Sequence, residues 1–335
     1  MNGHRATAAD VAAVAGVSRS TVSYILNGSS RLTFSPDTVA NVRAAAAALA
    51  YTPHAAARAL RRGDSGVVLL AIPDMPASSN FAKLVSALTD GVRAADRSLV
   101  SLAIRPGSRL VDFLRDISPT ALLEVLPISE EDRSAALSAD IPVISVAAPI
   151  QRLDQAAAAL QVQHLAALGH RRLAVVTVDE AGTRSFAESR LSAALAAARD
   201  LGLPAPTIAK VRGPLTDATS AMATELVRWT EAPDPVTAVC SFNDMFAGVV
   251  AAAARSVGLT VPDDLSIMGI DDEPLAGLLS PTLTTVRYDY AGVGRYIGDQ
   301  LHHLLDGKNL PTRISGASLE LVERDSTAAP RRSDV

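Results

Sequence analysis

Arg19, Ser20, Ser23 and Tyr24 share the outward side of a short helical pattern running from Ser18 to Leu26. A guanidinium, two hydroxyls and a phenol on the first turns of a helix can reach base edges or phosphates in a DNA groove. Farther along, Asp271-Asp272 closes an apolar run that starts at Ser266, and adjacent carboxylates at a strand end can bind a polar ligand or serve as an acid-base pair. His170, at a helix-to-strand turn, could join them in catalysis or simply cap the turn. No nucleophile elbow, phosphate loop or Cys/His cluster accompanies these groups, which argues against an enzyme; no catalytic residues, metal ligands or cofactors are expected. Cys240 is the only cysteine, so no internal disulfide can form.

Periodicity predicts the elements that must hold these groups. Thr7 suits the N-cap of a helix with Val11, Val14 and Ala15 on one apolar face, and Gly16 ends it. Ser18 caps a second helix in which Val22, Ile25 and Leu26 repeat the spacing up to Asn27-Gly28. A third, from a cap at Ser35 through Val39, Val42 and Ala46 to Leu49, completes a three-helix core. The spacing makes a helix-turn-helix, but fits an ordinary small bundle equally well. Beyond Gly63, β-rich apolar runs alternate with alanine-rich helical stretches, the pattern of parallel βαβ units. Strands are predicted over 67–72, 99–104, 122–126, 143–146, 173–178, 236–241 and 266–270.

The formal charge of −4 conceals an asymmetry: residues 1–63 carry +5 and the remainder −9. A basic head on an acidic body is the footprint of a protein that meets phosphate at one end. With 48% apolar and 20% charged residues the chain reads as globular. The first ten residues are polar and no apolar run approaches a membrane span, so a cytoplasmic location without a membrane partner is expected.

The segment Asp10-Val-Ala-Ala-Val-Ala-Gly-Val-Ser-Arg-Ser-Thr-Val-Ser-Tyr-Ile-Leu-Asn-Gly28 closely resembles the headpiece of the lac-repressor (LacI/GalR) family of bacterial regulators. The likeness continues through Tyr51-Thr-Pro-His-Ala-Ala-Ala-Arg-Ala-Leu-Arg-Arg-Gly63, which is similar to that family's hinge helix. It resumes in Leu168-Gly-His-Arg-Arg-Leu-Ala174, Ser241-Phe-Asn-Asp-Met-Phe-Ala247, Gly269-Ile-Asp-Asp272 and Pro281-Thr-Leu-Thr-Thr-Val286, and so spans nearly the whole chain.

This resemblance implies an all-α helix-turn-helix headpiece over 1–52 and a hinge over 53–63. An α/β two-lobed periplasmic-binding-protein-like (type I) effector and dimerisation domain would follow over 64–327, with a disordered tail over 328–335. The first lobe would take about 64–152 plus 287–312, the second about 153–286 plus 313–327. It implies a transcription regulator, usually a repressor, that binds double-stranded operator DNA as a homodimer under control of a small-molecule effector, a sugar or an atypical ligand.

The DNA-contacting set implied is Thr7, Ser18, Arg19, Ser20, Thr21, Ser23, Tyr24, Asn27, His54, Ala57, Arg58 and Leu60, with Leu60 as a minor-groove wedge or, alternatively, a packed linker residue. Phe81, Arg190, Asn243 and Asp271 would bind the effector. Asp271 and Asn243 could equally cap the turns that follow them, and Arg190 could lie on a solvated helix face.

Four departures from the family pattern stand out. Tyr24 replaces a frequent arginine, which alters base preference, and Ala50 replaces a glycine at the end of the third helix. Ala147-Ala-Pro-Ile-Gln151 lacks the acidic residue that sugar-responsive members place there, and the stretch from Arg105 to Ser118 looks short enough to lack part of a βα unit.

Overall fold

The computed structural model describes residues 6–26, 33–51, 65–73, 78–104, 110–180, 182–213, 215–307 and 318–331. The chain divides into two compact units, Met1–Gly66 and Val67–Val335.

In the first unit, α1 (Ala8–Ala15) starts in a reciprocal capping box between Thr7 and Asp10 and ends at Gly16, whose left-handed φ of 66° lets its N–H reach the Ala12 carbonyl. The second helix, α2 (Arg19–Leu26), receives its cap from Ser18, whose Oγ accepts the Thr21 N–H at 3.0 Å. The third, α3 (Pro36–Ala48), opens with the Ser35 cap and Pro36 in its first turn. Val11, Ala12, Val22, Ile25, Val42, Ala45 and Ala46 form its core. Val14, expected on the inner face, is instead 61% exposed; Ala12 takes that place, because the two neighbouring helices meet α1 along its 11–12–15 side. Ala50 holds a left-handed φ of 47°, the conformation that a glycine would take there at no steric penalty.

The second unit contains two parallel four-stranded sheets of identical strand order. The first lobe runs β1 (Val67–Pro73), α4 (Ser79–Ala94), β2 (Ser98–Ile104), α5 (Leu110–Ile117), β3 (Ala121–Glu124), α6 (Glu130–Ser138) and β4 (Val143–Ser145), with strand order β2-β1-β3-β4. The unit expected to be incomplete is present, its crossover helix α5 being only 8 residues long. After α7 (Ala147–Ala167) the second lobe runs β5 (Leu173–Val178), α8 (Arg184–Asp200), β6 (Thr207–Val211), α9 (Leu215–Thr230), β7 (Ala238–Ser241), α10 (Asp244–Ser256) and β8 (Ser266–Met268), with order β6-β5-β7-β8.

An antiparallel pair, β9 (Thr285–Asp289) and β10 (Ser318–Val322), flanks α11 (Ala291–Leu305) in sequence. The long helices α4 and α11 cross at small residues: a Cβ on Gly91 would overlap the Gly294 carbonyl, and one on Gly294 that of Ala87. Residues 328–331, expected to be disordered, are held: the Ala328 carbonyl lies 2.8 Å from His170 Nε2, and Arg331 pairs with Asp263 and Asp264 at 2.9 and 2.7 Å. Among the described residues no helix is long and apolar enough to cross a membrane.

Candidate functional site

In the headpiece, burial of Val22 and Ile25 turns the opposite side of α2 outward. Arg19, Ser18 and Ser20 are exposed, Tyr24 is 39% exposed, and Thr21 and Ser23 are half-buried. The Ser18 hydroxyl also contacts those of Ser20 and Thr21 at 2.7 and 2.8 Å, so the cap orients two candidate contact groups at the helix start. Thr7 is exposed at the start of α1 with its hydroxyl on Asp10 at 2.8 Å. Asn27, His54, Ala57, Arg58 and Leu60 lie outside the described residues.

The effector core holds a cleft of about 300 Å³ at the carboxyl ends of strands β1, β3, β5, β7 and β8, where open parallel sheets place ligands. All four residues expected to bind the effector line it: Phe81, Arg190, Asn243 and Asp271. Phe81 sits in the first turn of α4, whose cap is Ser78 Oγ accepting the Phe81 N–H at 3.1 Å. Asn243 Oδ1 caps α10 by accepting the Phe246 N–H at 3.1 Å, so the capping role considered from the sequence is real, while its side-chain NH₂ is not used by the cap.

Arg190 is neither solvated nor free. Buried in α8, it donates from Nε and Nη2 to Asp154 Oδ1 at 3.1 and 2.8 Å, from Nη1 to the Phe242 carbonyl at 2.6 Å, and from Nη2 to Tyr288 Oη at 3.1 Å. Its Nη2 lies 3.5 Å from Asp271 Oδ1, and its guanidinium carbon stands 4.8 Å from the centroid of the Phe242 ring. Burial opposes the charge, but Asp154, Tyr288 and Asp271 outweigh it and hold the guanidinium firmly protonated.

Asp271 leaves the end of β8 with a φ of 110°, and Asp272 follows at 45°. Two successive non-glycine residues in this region mark strain that the surroundings must hold, and such strain gathers at functional sites. The two carboxylates part company. Asp272 is clamped by Arg287 and Arg324 at 2.7 Å each, and although burial works against its charge those arginines bring its pKa below the usual range. Asp271 faces the cleft, accepts from Asn80 Nδ2 at 3.0 Å, and is pushed by burial to about 7 despite the pull of Arg190. Asp244, beneath it, is likewise raised by burial to about 7, opposed by hydrogen bonds from the Thr285 hydroxyl at 2.6 Å and the Glu273 N–H at 2.7 Å.

His170 is buried between Thr237 Oγ1 at 2.8 Å, Ser266 Oγ at 3.1 Å and the Ala328 carbonyl, away from the cleft residues; burial lowers its pKa. It pins the chain end and takes no part in an acid-base pair with Asp271.

Sequence reasoning missed Asp154, Asn80, Tyr288 and Tyr290. A signal for Asp154 existed: on α7 it interrupts the buried stripe of Ile150, Ala157, Ala158, Val162 and Leu165, where an apolar residue is expected. It supplies a carboxylate one helical turn beyond Ile150, near where Ala147–Gln151 lack one.

A helix-turn-helix head with a polar recognition face, joined to a two-lobed ligand-binding body, defines a DNA-binding transcription regulator. Residues 7–54 match the family described as bacterial regulatory proteins, lacI family, and residues 162–327 match the periplasmic binding protein-like domain. The HTH-type transcriptional regulator MalR of Streptomyces coelicolor is 30% identical over 96% of this chain and 96% of its own length. A structure of the lac repressor dimer bound to operator and the anti-inducer ONPF superposes with a TM-score of 0.72 at 24% identity, covering 97% of this chain and all of that one. A regulator CelR in complex with cellobiose superposes at 0.66, also at 24% identity, covering 96% of this chain and all of that one. The chain belongs to the LacI family of bacterial transcription regulators.

Proposed function

We propose that this regulator represses transcription by binding a pseudo-palindromic operator as a homodimer, and that a small molecule in the cleft controls its grip on DNA. The outward side of the second helix, with Arg19, Ser20 and Tyr24 exposed and Ser23 half-buried, carries the DNA reading, because such a face suits the major groove. The cleft supports the control: a ligand that prefers one arrangement of the lobes shifts the equilibrium by its differential affinity for the two arrangements. Leu60 enters the minor groove at the operator centre while Arg58 contacts phosphate, a role resting on the hinge resemblance. Thr7, Ser18, Thr21, Asn27, His54 and Ala57 complete the contact set, and Phe81, Asn243, Arg190 and Asp271 surround the effector. The protein acts in the cytoplasm, where its DNA lies.

The test is selection and sequencing of source-genome fragments bound by the purified protein at physiological salt, with and without added cell metabolites. Enrichment of one pseudo-palindrome is the expected outcome, and absence of enrichment under both conditions overturns the reading. On the recovered operator, Arg19→Ala relaxes preference at particular base pairs by about 1–3 kcal/mol. An unchanged base preference moves Arg19 to the phosphate contacts.

A further inference from the structure

The cleft's polar groups are unevenly satisfied. Asp154 is 2% exposed, and its Oδ1 accepts from Arg190 twice and from Tyr288 Oη at 2.6 Å, yet its buried Oδ2 accepts from nothing. Asn80, 8% exposed, donates through Nδ2 to Asp271 and to Tyr290 Oη at 3.0 Å, while its buried Oδ1 is also unpartnered. Both unmet atoms in this lining are acceptors. A buried acceptor without a partner is expensive, so a ligand or side-chain movement that brings a donor to either atom is favoured.

Charge points the same way. Among the described residues, Asp154, Glu180, Asp271 and Glu273 line the cleft against one cation, Arg190, whose guanidinium already serves Asp154, Asp271, Tyr288 and the Phe242 carbonyl. Lys83 is exposed and rests on the Asp271 and Asp272 carbonyl oxygens at 3.2 and 3.0 Å. The remaining walls are mostly apolar, part aliphatic and part aromatic, with the rings of Phe81, Phe186, Phe242, Phe246 and Tyr290 among them. Ring faces beside carboxylates favour a cation on an apolar body. A neutral polyol can pack on the rings but leaves the surplus negative charge uncompensated; a carboxylate or phosphate ligand is repelled.

Taking the cleft as the effector site proposed above, we propose that its ligand is an organic cation, an ammonium or amidinium group carried on an apolar or aromatic body.

The experiment titrates the full-length protein by calorimetry at pH 7 with two matched sets: 2-phenylethylammonium, 2-phenylethanol and 3-phenylpropionate, and 1,5-diaminopentane, 1,5-pentanediol and glutarate. Each is run in phosphate and in Tris, and glucose and cellobiose are titrated alongside. In at least one set the cation binds at least about tenfold more tightly than its neutral and anionic counterparts. Its binding is weakened about tenfold by Glu273→Gln, a half-buried position, and more by Asp154→Asn. Its heat also differs between the two buffers, because a cation beside Asp271 expels the proton that burial, against the pull of Arg190, leaves partly bound near neutrality. Equal or tighter binding of a neutral or anionic member, tight binding of either sugar, or no cation binding in either set overturns the proposal. Cation binding indifferent to both Glu273→Gln and Phe242→Ala also overturns it, by placing the ligand elsewhere. Operator affinity separates the two readings: a sugar that binds and changes it removes the cation inference and keeps the effector cleft. A cation that binds as described and leaves it unchanged keeps the ligand chemistry and removes the control.

Discussion

Glu124 in the first lobe and Asp154 on α7 are buried to the same depth, and the two are treated in opposite ways. Glu124, at the end of β3, receives Arg133 Nη2 on both oxygens at 2.9 and 2.8 Å and the Ile128 N–H on Oε2 at 3.1 Å. Asp154 gathers three donors on one oxygen and offers the other to nothing. The effector core therefore holds a saturated structural ion pair beside the first sheet and an unsaturated group on the helix that joins the two sheets. A buried charge with all its partners holds the fold; one with an acceptor to spare is built to receive something.

The difference can be broken first at Arg190, which serves both Asp154 and Asp271. Arg190→Ala strands Asp154 and Asp271 together, and urea denaturation is expected to show a loss of about 3–5 kcal/mol; a loss below about 1 kcal/mol removes the view that Arg190 compensates two buried carboxylates. Arg133→Ala, its first-lobe counterpart, is partly open to solvent and is expected to lose about 2 kcal/mol without changing effector affinity. A changed affinity would tie the first-lobe pair to the cleft.

Titration sharpens the contrast. Asp271 and Asp244 have folded pKa values raised to about 7, so the folded state binds more protons than the unfolded chain between about pH 4 and 7, and their contribution to stability falls as pH rises through that window. Asp244→Asn should flatten that slope by on the order of 1 kcal/mol per pH unit, read from denaturation midpoints at several pH values. An unchanged slope would show that Asp244 is ionised across the window. The smallest effect is expected from Asn80→Ala, about 1 kcal/mol, since it removes hydrogen bonds to Asp271 and Tyr290 that tie the start of α4 to the second lobe.

The three head helices were legible down to their N-terminal caps because local spacing and Thr7, Ser18 and Ser35 set them; the Asn27-Gly28 stop lies outside the described residues. Val14 misled because a period alone does not say which side of an alanine-rich helix meets its neighbours. In the core, seven strands were readable as apolar runs. β6 was not, because it is an edge strand whose Thr207-Ile-Ala-Lys-Val211 alternates exposure; β9 was hidden by Arg287 and Asp289 within its five residues. The four effector positions carried over by resemblance all reached the cleft. Their partners did not show, because Asp154, Asn80 and Tyr288 are brought to Arg190 and Asp271 by contacts spanning 36 to 191 positions of sequence.

Helix α4 begins at the cleft with Asn80 and Phe81 and reaches its glycine crossing with α11 at Gly91. At 1.5 Å per residue its 16 residues make a rod about 24 Å long, so a tilt of about 5° at one end displaces the other by about 2 Å. At the crossing, backbone rests on backbone with no long side chain between to re-pack and absorb the movement. A joint of this kind has little to give, so a small rotation at the cleft end of α4 is expected to reach α11 as translation.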